Sequence, residues 1–224
     1  MKDRHGPTWL ATTAWFAAFA LLALPALAQH EGHDAMAGDP KAGDEQPPAG
    51  QEHAMSPEEA AMMQAWHEAM TPGEPHANLA KAAGDYTLTV KMYMDPSAPP
   101  QVSEGTSHRE MIMGGRILQE TVQGRMMEME FQGMGLTGYD NVKGKYWNTW
   151  YDNMGTGASM SEGTADESGK TVMMGDYVDP MTRETKTGKS VLWWENPDTQ
   201  KLEMYDKRGD DWAKTMEITF VRKK

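Results

Sequence analysis

The chain contains no cysteine. A disulfide framework, a thiol nucleophile, thiolate metal ligands and a lipid-modified cysteine are therefore all excluded, and the core must hold without covalent staples. Histidine is nearly as scarce where it would matter: after residue 78 only His108 remains, in "SHRE". Any nucleophile–base–acid arrangement there would have to centre on that one imidazole. No basic stripe occurs, so nucleic acid is not an expected partner. Residues 29–55 hold no aromatic, valine, isoleucine or leucine, and such a segment cannot bury enough surface to offset its chain entropy. After residue 28 no apolar run approaches the roughly 20 residues of a membrane-spanning helix.

The first 28 residues have the opposite character. Lys2 and Arg4 precede the uncharged run "LATTAWFAAFALLAL", and "PALA" closes it with Ala26-Leu27-Ala28. This is the charged, apolar and small-residue order of a secretory signal. The expectation is an exported chain beginning at Gln29 after cleavage, periplasmic in a bacterium, with no integral span once the signal is gone. The net charge of −12 is uneven. Residues 29–55 carry six acids and one lysine, and residues 56–77 carry four acids and no lysine or arginine. The expected organisation is a signal (1–28), a disordered acidic leader containing His and Met (29–55), a helical lead-in (56–83) and a β domain (84–224).

In the lead-in, "SPEEAAMMQAWHEAM" opens with Ser56 as N-cap, Pro57 at the first helical position and Glu59 completing a capping box. Met62, Met63, Trp66 and Met70 recur at helical spacing. "TPGEP" stops that helix, and "HANLAKAAG" predicts a second short one ended by Gly84. From Asp85 the period becomes two. In "YTLTVKMYMD", Tyr86, Leu88, Val90, Met92 and Met94 share a face. Turn signals such as "DPSAPP", "MGG", "DNVKGK", "ADESGK", "ENPDT" and "KRGDD" then recur, spaced for about ten antiparallel strands. Closure into a barrel is favoured because it leaves no exposed edge. "SEGT" appears at 103–106 and again at 161–164, which predicts a repeated need for glycine inside a strand.

The motifs "GGRILQE" (114–120), "GYDN" (138–141), "YWNTWYDNMGTG" (146–157), "SEGT" (161–164) and "MEITFVRK" (216–223) together resemble one bacterial family, domain of unknown function 1579. The resemblance runs over roughly residues 57–224. It implies a calycin-like antiparallel barrel, similar in shape to lipocalins, with no established activity. The family usually has Gly-x-Trp where this chain has Gly84-Asp85-Tyr86, and a tyrosine can plug a barrel base in its place.

The run "GYDNVKGKYWNTWYDNM" poses the functional question. Tyr146, Asn148, Trp150, Asp152 and Met154 fall on one face, and Trp147, Thr149, Tyr151 and Asn153 on the other. With Trp150 and Asp152 inside, rings and polar groups would make a pocket wall for a small apolar or amphipathic ligand. With Trp147 and Tyr151 inside, the same residues would describe packing. The first arrangement is taken here. Met92, Met94, Met111 and Met113 would add adaptable thioether surface, and Arg116 would offer a forked donor to a carboxylate. Ordinary core filling and pairing of Arg116 with Glu120 or Asp152 are the plainer alternatives for these residues.

Two other function classes stay open at this level. His30, His33 and Met36 lie within seven residues and could wrap a copper ion, so metal handling is the first alternative. An enzyme centred on His108, or on acids among Asp140, Asp152 and Glu162, is the second. No cofactor is expected. Haem in particular lacks support, since "AKTMEITFVRK" offers no axial histidine. Oligomeric state is not legible.

Overall fold

The computed structural model describes residues 55–94 and 98–224. Residues 1–54, on which the expected signal and nearly all of the expected leader fall, with His30, His33 and Met36, lie outside the described residues. Two helices lead in: α1 (Pro57–Met70) and α2 (Glu74–Ala80). The capping box forms as its residues require. Ser56 Oγ accepts from the Glu59 amide at 3.2 Å, and the Ser56 amide donates to Glu59 at 2.8 Å. Every side chain of α1 stays exposed or half-exposed, including Met62, Met63, Trp66 and Met70. Its C-terminus is nevertheless fastened. Arg116 Nη2 donates to the Met70 carbonyl at 2.6 Å, and Asn141 Nδ2 donates to the carbonyls of Glu68 and Thr71. These bonds satisfy carbonyls that a helix end leaves without partners.

Ten strands follow: β1 (Gly84–Met92), β2 (Gln101–Ile112), β3 (Ile117–Met126), β4 (Met129–Asp140), β5 (Lys145–Asp152), β6 (Ser159–Ala165), β7 (Thr171–Val178), β8 (Thr185–Asn196), β9 (Thr199–Arg208) and β10 (Asp211–Arg222). Each pairs antiparallel with its sequence neighbours, and β1 pairs with β10, so the sheet closes on itself with no free edge. The expected ten-stranded antiparallel barrel is thus the fold.

The inner face is fixed by contacts between strands that are not neighbours. Arg109 of β2 donates to Gln200 of β9 at 2.5 Å, and β1 and β10 stand between those strands in the sheet. That bond can only cross the interior. Tyr86, Leu88 and Phe220 form the buried core there, with Val90, Val122, Trp194, Leu202 and Ile218 packed around them. Residues paired across adjacent strands share a face, so the register carries this assignment around the ring. The outer face holds many charges, among them Lys91, Glu104, Arg125, Glu130 and Glu203. A barrel whose outside meets lipid has the reverse polarity. Among the described residues no helix is long and apolar enough to cross a membrane.

Candidate functional site: an open mouth above a plugged floor

The two ends of the barrel are built differently. At the floor, Tyr86 is fully buried and its hydroxyl donates to the Ala82 carbonyl at 3.0 Å. The Arg109 guanidinium lies 4.1 Å from the Phe220 ring centroid and 4.9 Å from that of Tyr86. Its Nε donates to Glu120 Oε1 at 2.8 Å, and Ser107 Oγ donates to the same oxygen at 2.6 Å. A buried charge is tolerable only when paired and hydrogen-bonded in this way. Helix α2 packs against the ends of β2, β3 and β4. It brings His76 edge-on to Tyr139 at 5.9 Å, with Tyr139 in turn edge-on to Tyr146 at 4.9 Å. Burial, then the neighbouring Tyr139, pushes the Tyr146 phenol up from its ordinary range. Arg222 reaches back to the carbonyls of Ala83 and Lys81, tying the last strand to this closure.

Toward the opposite end the inward positions change character. The register places Gly105, Gly124, Gly133, Gly135, Ser161, Gly175, Gly188 and Ser190 on the inner face. With so little side chain, the inner wall there is formed largely by backbone. Of the two "SEGT" glycines, Gly105 belongs to it, while Gly163 pairs with Tyr146 and the buried Met173 at the floor. A Cβ at Gly105 would stand 2.7 Å from the Gln123 carbonyl oxygen, and one at Gly163 would strike the Val172 carbonyl oxygen of the next strand. Glycine therefore permits close approach of adjacent strands at both repeats.

Trp150 extends this economy of space. It pairs with Gly135 across the β4–β5 ladder, and its ring lies flat over both Gly133 and Gly135. A Cβ at Gly133 would come within 2.3 Å of Trp150 Cζ2. The indole is thus laid along the wall instead of filling the barrel. Phe131 stacks alongside with centroids 6.5 Å apart, and Trp150 Nε1 donates to Asp152 at 2.9 Å. The glycines of "GMGLTG" (133–138) act as tryptophan platforms, since Gly138 does for the outward Trp147 what Gly133 does for Trp150.

Across the lumen, Met204 faces inward yet stays 39% exposed. Solvent therefore reaches the inner wall at that height. Polar groups edge the same end. Lys186 pairs with Asp179, and the hydrogen bond from Lys186, with the Thr182 and Met181 amides, holds the Asp179 carboxyl down at about 2. Burial, with a hydrogen bond to Asp206, pushes the Tyr177 phenol up to about 12.

The residues singled out from sequence separate into three groups. Trp150, Asp152 and Met92 line the open upper half. Tyr146 and Met111 face inward at the floor. Arg116, Met113 and Met94 are outside the lumen. Arg116 is spent on α1 and on the Met113 and Gly114 carbonyls, while Met113 sits in a turn at 69% exposure and Met94 lies beyond β1 at 62%. The expected inward Arg116 is replaced by Arg109, which shares its strand face with Ser107 and Met111. His108 points outward and pairs with Asp85 at 2.8 Å. Asp140 accepts from two amides of its own turn, and Glu162 pairs with Lys143, so those acids and His108 do not converge. Among the described residues no three His, Asp or Glu side chains gather as a metal site.

A plugged floor, a polar exterior and an opposite end of small inward residues with aromatic walls describe a closed ten-stranded antiparallel barrel. The chain belongs to the family described as protein of unknown function (DUF1579), whose model matches residues 71–222. Among solved structures, a redesigned β-barrel is similar over 66% of this chain and 96% of its own length, at 13% identity and a TM-score of 0.34. No curated protein is similar enough to this chain to count as a match.

Proposed function

We propose that this protein binds a small apolar or amphipathic molecule, non-covalently, in the upper lumen of its barrel. The observation that carries the reading is the Gly/Ser-lined upper wall, with Trp150 flattened against it and inward Met204 still open to solvent. Binding sites of this kind are concave and mostly apolar, with a few placed polar groups. Here Phe131, Trp150, Met92, Met204 and Met216 supply apolar surface, and Asp152 with the Tyr177–Asp206 pair supplies polar anchors near the mouth. The exported location suggested by residues 1–28 belongs to the same proposal, with the ligand met outside the cytoplasm.

Native mass spectrometry of protein recovered from its own cell envelope tests this, together with titration of a fluorescent fatty-acid analogue. A co-purifying small molecule, displaced by the analogue, is the expected result. The bare chain alone, with no analogue bound at micromolar concentrations, would refute it.

A further inference from the structure

Five inward positions form a continuous row of paired residues along the inner wall, from Met92 to the buried Met173. Met92 of β1 pairs with Met216 of β10, which pairs with Met204 of β9. Met204 pairs with Ser190 of β8, and Ser190 with Met173 of β7. The three thioethers of Met92, Met216 and Met204 therefore stand side by side with no residue between them. Adjacent strands lie about 4.8 Å apart, so each outer methionine is one strand spacing from Met216. An unbranched thioether arm has three rotatable bonds with which to cover that distance. The inner wall of a barrel is concave, which turns the three arms toward one another.

The row below shows that these methionines answer to more than filling. On the same three strands, one step toward the floor, the paired inward residues are Val90, Ile218 and Leu202. A step further down are Leu88, Phe220 and Gln200. The core thus uses branched hydrocarbon, aromatic and amide groups where it is dry. It changes to thioether on all three strands at the height that solvent reaches. Asp206 follows Met204 on the inner face of β9, one step nearer the mouth.

We infer that Met92, Met204 and Met216 form a binding site for a soft monovalent cation, Cu(I) or Ag(I), on the lumen wall. Neutral thioethers select such ions over zinc, calcium or magnesium. Three of them leave the cation's single charge uncompensated, and Asp206 is the nearest inward carboxylate along β9 to balance it. Entry is through the open mouth. The site is distinct from any His-based binding in residues 29–55, because thioethers do not protonate and imidazoles do.

That difference shapes the test. The full chain is titrated with Cu(I) under ascorbate against a chromogenic Cu(I) chelator at about pH 5, where unperturbed histidines are charged and poor ligands. Ag(I) serves as a redox-inert repeat. Wild type is expected to hold one equivalent, and M92L/M204L/M216L to lose Cu(I) affinity by about tenfold or more, while its circular-dichroism spectrum stays that of the wild type. Equal Cu(I) affinity in the two proteins overturns the inference and leaves the apolar-ligand reading standing. Should the triple variant fail a circular-dichroism check, M204L alone and X-ray absorption of the wild-type complex decide. A sulfur shell around copper supports the site, and a shell of nitrogen and oxygen alone overturns it.

Discussion

Replacing Arg109 with methionine should reveal how the floor is held. The guanidinium is 5% exposed, stacks between Phe220 and Tyr86, and donates to Glu120 and Gln200. Met refills most of the hydrocarbon volume, so little of the effect comes from a cavity. What is lost is the charge partner of Glu120, whose side chain is only 19% exposed. Breaking a buried pair by removing one partner costs about 3–5 kcal/mol. The residual exposure of Glu120 favours the lower end, about 3 kcal/mol, which for a domain of this size lowers Tm by roughly 6–12 °C. Urea denaturation of R109M, read by tryptophan fluorescence, should show that loss with an unchanged m-value. R109M/E120L should be about 1–2 kcal/mol more stable than R109M, because the orphaned carboxylate has gone and only the buried Gln200 amide oxygen stays without its donor. A single variant within about 0.5 kcal/mol of wild type, or a double variant as unstable as the single, would refute the pairing as the organiser of the floor.

Other perturbations follow from local geometry. G133A sets a methyl against Trp150 Cζ2; it should lift the indole off the wall, cost about 1–3 kcal/mol and alter near-ultraviolet circular dichroism, and an unchanged spectrum would contradict the flat placement. R116A/N141A releases the α1 carbonyls; limited proteolysis should then cut within residues 56–72 faster, with Tm of the barrel nearly unchanged. D179N bears on acid stability. The Asp179 pKa falls from 3.8 to about 2 on folding, so its contribution is complete above about 3.8 and is lost as pH drops through about 2. Wild type should therefore lose stability more steeply than D179N between those values. Parallel acid profiles for the two proteins would exclude the Lys186–Asp179 pair as a contributor.

The barrel was legible in the sequence because its two signals are local. Period-two alternation from Tyr86 onward and turn residues between strands need only near neighbours, and both were right about strand number. The capping box of α1 was equally legible, since Ser56, Pro57 and Glu59 carry it by themselves. Tyr86 also proved able to fill the base where the family usually has tryptophan. The site was only half legible. Alternation puts Trp150 with Asp152 and opposes them to Trp147, but it cannot say which pair faces in; that required the Arg109–Gln200 bond across the lumen. Arg116 misled because it shares the parity of Leu118 and Glu120 yet stands one residue before β3, where the chain is still turning. Arg109 was missed although its signal was present, in that it alternates with Ser107 and Met111 while His108 does not. The glycines spread over "SEGT", "GMG" and "MGD" become one surface only when the register aligns them.

The central claim is that the upper lumen is vacant space built to be occupied. Ser103 and Ser190 face into it from nearly opposite walls, and each already carries a Cβ on which a larger side chain can be grown. Titrating the fluorescent fatty-acid analogue into wild type and into S103F/S190F, with Tm measured for both, tests it most directly. The account predicts saturable binding by wild type and a loss of about tenfold or more in the filled variant, roughly 1.4 kcal/mol or more of binding free energy, with folding retained. Undiminished binding to a folded S103F/S190F would place the ligand elsewhere and contradict the account.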